Sequence, residues 1–169
     1  RIRTHFDGYC EVAMTLVPTG KEQLVKSLSL DIPLRPDAAT LARDSKHCVL
    51  GGSKSGAVGD YWCQDFSGGT FVWVGNDRVG FNWLAPNLEN WNCRNKAKNV
   101  EVIRTNDTAV LRFNLVDTPT NWAEPRTIKF GFILTPSRPL DRKIHRLREH
   151  KDYQMWCQPW HYFAYPDYD

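Results

Sequence analysis

Residues 70–91 read TFVWVGNDRVGFNWLAPNLENW, and the fold class follows from how that stretch turns back on itself. Residues 71–74 and 79–84 are too rich in aromatic and β-branched side chains for a comfortable helix. Gly75-Asn76-Asp77 between them supplies residues that tolerate the positive φ of a tight turn. The stretch is therefore a β-hairpin followed by a polar exit loop carrying Trp91. With the turn centred on Asp77-Arg78, Val74 faces Phe81 and Val72 faces Trp83, which makes one apolar face and leaves Trp73 opposite Asn82 on the other. A slip of one residue would reverse the two faces.

The flanking chain reads as more strands. Residues 6–17 (FDGYCEVAMTLV) alternate, with Tyr9, Glu11, Ala13, Thr15 and Val17 on one face and Cys10, Val12, Met14 and Leu16 on the other. After Pro18-Thr19-Gly20, residues 24–34 (LVKSLSLDIPL) alternate as one strand through Leu24, Lys26, Leu28, Leu30, Ile32 and Leu34, and Pro33 confines its end to a sheet edge or a bulge. Residues 100–104 and 109–116 form a second hairpin around Thr105-Asn106-Asp107. Val110, Arg112, Asn114 and Val116 fall on one side of it and Leu111, Phe113 and Leu115 on the other. Residues 118–125 read as a loop holding Trp122, and 126–135 (RTIKFGFILT) as a last strand. Between residues 35 and 67 only short strands are expected, near Thr40-Leu41, Cys48 to Leu50 and Tyr61-Trp62-Cys63. The run GGSKSG at 51–56 has neither Walker spacing nor a following helix and reads as a mobile surface loop.

This succession predicts an all-β chain, an antiparallel, jelly-roll-like β-sandwich over residues 1–140. Residues 141–169 are a linker or the start of a following domain. Within them, 141–151 read as a short basic helix and YQMWCQPWHYFAYPDYD (153–169) as an aromatic tail that docks on something, because a free end of that composition invites aggregation.

Composition narrows the function classes. The 169 residues, 41% apolar and 24% charged, suit one large domain or one domain with part of another. They argue against disorder, and no apolar run approaches the length of a membrane span. The net charge of +3 is spread along the chain apart from Arg138, Arg142, Lys143, Arg146, Arg148 and Lys151. Asp141, Glu149 and Asp152 interleave with that cluster, so it reads as a solvated helix or linker, and nucleic-acid binding is not indicated. Cys10, Cys48, Cys63, Cys93 and Cys157 are odd in number with no Cys-x-x-Cys pair. Neither a zinc site nor a redox motif is written in that spacing, and the plain reading is small buried hydrophobes. In an exported protein they leave room for one or two disulfides, whose pairing the spacing does not give. Asn106-Asp107-Thr108 is a glycosylation sequon at a hairpin tip, relevant in a eukaryotic secretory pathway. The chain begins at Arg1 with neither methionine nor signal peptide, the pattern of a processed or excised piece of a longer product.

No catalytic apparatus is legible. A sandwich glycanase needs Glu-x-Asp-x-x-Glu on one strand, so that alternating carboxylates share a face, and the chain has none. Gly-x-Ser-x-Gly and His-Glu-x-x-His are absent as well, and His5, His47, His145, His150 and His161 are scattered. We expect no catalytic residue, no metal site and no cofactor in these residues. Carbohydrate contact is the one chemistry the composition favours: aromatic rings cover the C–H faces of sugars while Asn, Asp and Arg bond the hydroxyls. Trp73, Asn82, Trp83, Asn87, Trp91 and Trp122 are the candidates, with an inward, core position as the competing reading for each tryptophan and for Trp83 above all.

The order of segments FDGYCEVAMTLVP, LVKSLSLDIPLRP, WVGNDRVGFNWLAPNLENW and RFNLVDTPTNWAEPRTIKFGFILTPSRPL resembles the β-sandwich region of large bacterial proteins related to glycoside hydrolase family 123, over about residues 6–140. In such proteins the sandwich precedes a (β/α)-barrel that carries the glycosidase site. Members act on N-acetylgalactosaminides with an adjacent Asp-Glu pair, the substrate acetamido group serving as nucleophile. No Asp-Glu pair occurs in this chain, and Pro86-Asn87-Leu88-Glu89-Asn90 stands where the family has an acidic, serine-bearing stretch. The resemblance thus implies a non-catalytic accessory sandwich of an exported (secreted, periplasmic or cell-surface) protein, bracing an intramolecular barrel and lending an aromatic wall to a glycan. A stand-alone carbohydrate-binding module and a structural module of an extracellular assembly, joined through edge strands or the tail, are the alternatives.

Overall fold

The computed structural model describes residues 1–5, 7–44, 56–66 and 70–136. The helix and aromatic tail expected after residue 140, the short strand at 48–50, the loop at 51–55, Cys48 and Cys157 lie outside them. The chain divides into two compact units, Arg1–Ser137 and Arg138–Asp169, and every described strand belongs to the first.

Thirteen strands are described: β1 (Ile2–Thr4), β2 (Cys10–Leu16), β3 (Gln23–Val25), β4 (Leu28–Leu34), β5 (Leu41–Asp44), β6 (Gly56–Ala57), β7 (Tyr61–Gln64), β8 (Phe71–Gly75), β9 (Gly80–Leu84), β10 (Val100–Arg104), β11 (Ala109–Val116), β12 (Thr120–Trp122) and β13 (Arg126–Thr135). They form one antiparallel sheet in the order β1-β2-β13-β9-β8-β5-β6, a second in the order β4-β11-β10-β7, and a separate β12–β3 ribbon. The fold is all-β, as the sequence predicts. Its jelly-roll character lies in the nesting: β2 lies beside β13 in one sheet and β4 beside β11 in the other, so the last strands close around the first.

The central hairpin has the expected register. Val74 pairs with Phe81, Trp73 with Asn82 and Val72 with Trp83, and Gly75 and Gly80 close the ladder around Asp77-Arg78. Its turn is made differently from the sequence expectation. No residue from 75 to 80 has a positive φ; instead the Asn76 side chain does the work, its Oδ1 accepting from the amides of Arg78 and Val79, each at 2.8 Å.

Because β-strand side chains alternate, that register sends Val72, Val74, Phe81 and Trp83 inward together, and all four are buried. From the opposite sheet Val100, Val102, Leu111 and Phe113 meet them. Trp83 stacks on Phe113 with ring centroids 4.3 Å apart, and Phe66 lies beside both, 5.4 Å from Trp83 and 6.4 Å from Phe113.

Three strand details differ from the sequence reading. Residues 24–34 are two strands, not one: β3 pairs with β12, and only β4 joins the four-stranded sheet, at its edge as Pro33 requires. Leu24 therefore leaves the apolar face assigned to it and is 54% exposed. Residues 120–122 are not loop but strand, held by β3. Val116, assigned to the outer side with Arg112, is buried with Leu115, because a bulge between Asn114 and Val116 shifts the register against β4.

Trp83 is 0% exposed and touches both layers. Trp83→Ala should therefore lose about 3–5 kcal/mol of unfolding free energy, read as a lower midpoint in urea denaturation followed by circular dichroism.

Candidate functional site

Trp73 has the opposite parity on β8 to Val72 and Val74, so the residues that drive the hairpin into the core also turn the indole to the outer face of the seven-stranded sheet. Arg43 of β5, Trp73, Asn82 and Ile133 of β13 stand in register as one row across that face. The next row toward the hairpin tip is Leu41, Gly75, Gly80 and Thr135. The indole lies over this second row: a Cβ on either Gly75 or Gly80 would overlap it. Its Nε1 donates to Thr135 Oγ1 at 3.3 Å. Neither glycine has a left-handed φ; what calls for glycine is close approach, by the indole at both positions and by the Val79 carbonyl as well at Gly75. Trp73 thus lies half-buried over the sheet, with the Asn82 side chain and the Thr135 hydroxyl beside it. A planar apolar surface edged by an amide and a hydroxyl suits a pyranose ring, whose C–H face and hydroxyls need those two kinds of contact.

Of the residues expected to contact glycan, Trp73 and Asn82 are brought together here, and the others are not. Trp83 is wholly buried in the stack with Phe113. Trp122 is 4% exposed, apart from the main core cluster, with the Arg126 guanidinium 5.1 Å over its ring. Neither has a face to offer. Trp91 is half-buried on the core side, its ring 6.0 Å from Phe66 and 6.1 Å from Trp83. Asn87 is exposed and folds back on its own loop, its Oδ1 accepting from the Glu89 amide at 3.0 Å. Asn106 is exposed at the tip of the β10–β11 hairpin. Sequence reasoning missed Gly75, Gly80 and Thr135; the signal available was a pair of glycines bounding the turn between aromatic strands, which can mark close approach of another group as well as a tight turn.

The outer face of the four-stranded sheet carries a different arrangement. Asp31, Arg112, Glu101 and Cys63 form a row in register. Arg112 donates from Nε and Nη2 to the two Asp31 oxygens at 2.8 and 2.7 Å, and this pairing holds the Asp31 carboxyl below its usual range. Glu101 accepts from the Tyr61 hydroxyl and from Asn114 Nδ2 (2.7 Å), with Lys98 Nζ 3.9 Å away. Burial, then the Glu101 hydrogen bond, push the Tyr61 phenol up. Each charged group in this row is matched inside it, the pattern of a cross-strand ladder that stabilises the sheet rather than of groups held ready for a ligand.

A third cluster gathers on Asp117. Its carboxylate accepts from the amides of Arg94 (2.7 Å) and Asn95 (2.8 Å), from the Thr118 hydroxyl (2.9 Å) and from Cys93 Sγ (3.2 Å). Burial raises the Asp117 pKa, but the amide donors outweigh it and bring it to about 2. Burial, followed by Asp117, pushes the Cys93 thiol up to about 12. Cys93 is accordingly a protonated donor, not a nucleophile. Cys10, Cys63 and Cys93 are all only half-buried, short of the full burial expected of them.

Among the described residues no group of three or more His, Cys, Asp or Glu side chains is placed to hold a metal ion, and no helix is long and apolar enough to cross a membrane. No protein-family model, curated protein or solved structure matches the chain.

Two outcomes are expected from the Asp117 cluster. Its folded pKa lies below the ordinary carboxylate value of about 3.9, so its contribution is present above that value and is lost as pH falls through about 2. Asp117→Asn should therefore flatten the drop in urea midpoint between roughly pH 4 and pH 2 relative to the parent chain. Cys93 should react with iodoacetamide far more slowly in the folded protein than in urea, which peptide mapping by mass spectrometry reads directly.

Proposed function

We propose that the sandwich is a non-catalytic, carbohydrate-binding accessory module of an exported glycoside-hydrolase-like protein, and that the Trp73 face makes the contact. One observation carries this reading: the indole laid over Gly75 and Gly80, with Thr135 and Asn82 beside it. Glycine within or at the end of a strand lowers stability by roughly 0.5–1 kcal/mol relative to alanine, and here it makes room for the indole over the sheet. The non-catalytic part draws on the acids. Asp31 is committed to Arg112, Asp117 to backbone amides, and Glu101 to Tyr61 and Asn114.

Support of a catalytic barrel elsewhere in the same protein is a second reading. Phe71, Leu84 and Ile133, all half-buried, share the outer face with Trp73, and an apolar floor of that kind serves a protein neighbour as well as a sugar.

A glycan microarray on the intact chain, followed by calorimetry on whatever it selects, separates these. Trp73→Ala should weaken binding at least about tenfold, the worth of roughly 1.4 kcal/mol, with the far-ultraviolet spectrum unchanged. An array without signal, or a Trp73→Ala chain that binds as the parent does, would overturn the carbohydrate reading and leave the supporting or structural one.

A further inference from the structure

A second aromatic ring lies on the same face. Gly131 of β13 stands in register between Leu84 of β9 and Glu11 of β2, and a Cβ on it would overlap the phenol ring of Tyr9. Its φ is not left-handed either. Gly75, Gly80 and Gly131 are thus alike: each sits on the outer face of the seven-stranded sheet with an aromatic ring where its side chain would be. Gly8, Gly20 and Gly59 by contrast have open space around them.

The two rings lie obliquely across one face: Trp73 covers Gly75 and Gly80 on β8 and β9, in the row that contains Thr135, and Tyr9 covers Gly131 on β13. The two rows are four residues apart, or about 13 Å at strand rise. Ile133 and Asn82 form the row between them, and Leu84 stands beside Gly131. Around Tyr9 the polar groups are His5, whose ring centroid is 5.6 Å from the phenol ring, and Glu11, whose Oε1 lies 3.4 Å from His5 Nε2. That Nε2 is buried and makes no aligned hydrogen bond.

We propose that Tyr9, with His5 and Glu11 beside it, is a second subsite of the Trp73 face, and that the ligand is an uncharged oligosaccharide long enough to bridge the two rings. The inference rests on the carbohydrate reading of Trp73 and extends it. Two rings on one face, offset both along and across the strands, match a chain of sugars lying obliquely over the sheet, and a single sugar could reach only one. The edge groups are the Asn82 amide, the Thr135 hydroxyl and the exposed Arg43 at Trp73, and the Glu11 carboxylate at Tyr9. These bond hydroxyls from both ends, whereas a uronate or sulfate at the Tyr9 end would meet the Glu11 carboxylate as a like charge.

The test is calorimetry on the intact chain with disaccharide and hexasaccharide members of the cello-, xylo-, manno- and chito-oligosaccharide series. In the parent chain the hexasaccharide should bind about tenfold tighter than the disaccharide of its series, as one additional stacking contact allows. Tyr9→Ala should remove that advantage and leave the disaccharide unchanged. Gly131→Ala, which pushes the phenol ring off the face without deleting it, should do the same, and Trp73→Ala should weaken both. Where Tyr9→Ala fails to fold, Tyr9→Leu keeps a cover over Gly131 and carries the same expectation. Equal affinity for short and long sugars, or a hexasaccharide bound as tightly after the Tyr9 and Gly131 substitutions as before, overturns the second subsite while leaving the first reading standing. Absence of binding to every member overturns both.

Discussion

The stack of Trp83 on Phe113 ties the middle strand of the seven-stranded sheet to an interior strand of the four-stranded one, and the rest of the sandwich is set by the parity that this contact imposes. A strand cannot turn one side chain inward without turning its neighbours outward. Burying Trp83 places Asn82 and Leu84 on the outer face, and the register to β8 then places Trp73 there while Val72 and Val74 go in. The core thus determines what is available outside it. The burial that this stack anchors is large, since tryptophan and phenylalanine are among the residues with most apolar area to remove from water. A slipped hairpin would lose it entirely.

The polar loop after the hairpin, which by composition resembles part of a binding surface, is a strap. Asn90 adopts a left-handed φ of 68° and donates from Nδ2 to the Thr127 carbonyl at 2.9 Å, a conformation asparagine tolerates better than most residues. Asn92 donates from its amide to Leu115 O at 2.8 Å and from Nδ2 to the Thr120 hydroxyl. Two asparagines thereby pin residues 90–92 against both β11 and β13, and Trp91 between them is turned back toward Phe66 and Trp83. Asp117 fastens the next residues by taking the amides of Arg94 and Asn95. The loop's asparagines are spent on fastening it to the neighbouring strands, a common use of Asn side chains where the chain leaves a sheet.

Short-range alternation is the part of this fold that the sequence makes legible. Both hairpins can be read as hairpins because each joins strands that are neighbours in sequence, with alternation and a short polar turn, and the first pairs as a turn centred on Asp77-Arg78 requires. The reading fails where a distant partner decides. Nothing in LVKSLSL shows that β3 and β4 part company at Lys26-Ser27, because the break is made by β12, far along the chain, pairing with β3. Trp122 reads as a loop residue for the same reason: Thr-Asn-Trp has no strand signal of its own, and the ribbon supplies one. Of the candidate site, Trp73 and Asn82 are legible as a cross-strand pair. The ring over Gly131 is not, since Tyr9 and Gly131 lie near opposite ends of the described chain and meet only once β2 and β13 are side by side.

The glycines separate a cover from a platform. A face needing only stability would carry β-branched residues at these positions, each packing on its neighbours and avoiding the roughly 0.5–1 kcal/mol that glycine forfeits. A ring laid over a strand glycine recovers part of that loss by shielding the exposed backbone, so one such pair is ordinary sheet engineering. Here the device occurs twice on one face, over Gly75 and Gly80 and again over Gly131, with the row of Asn82 and Ile133 between. The opposite face of the sandwich solves the same problem with the Asp31–Arg112 and Glu101–Tyr61 ladder. The two outer faces of one molecule meet the same solvent and the same demand for stability. The two outer faces thus meet that demand by different means, one with aromatic rings over strand glycines and the other with matched polar and charged pairs.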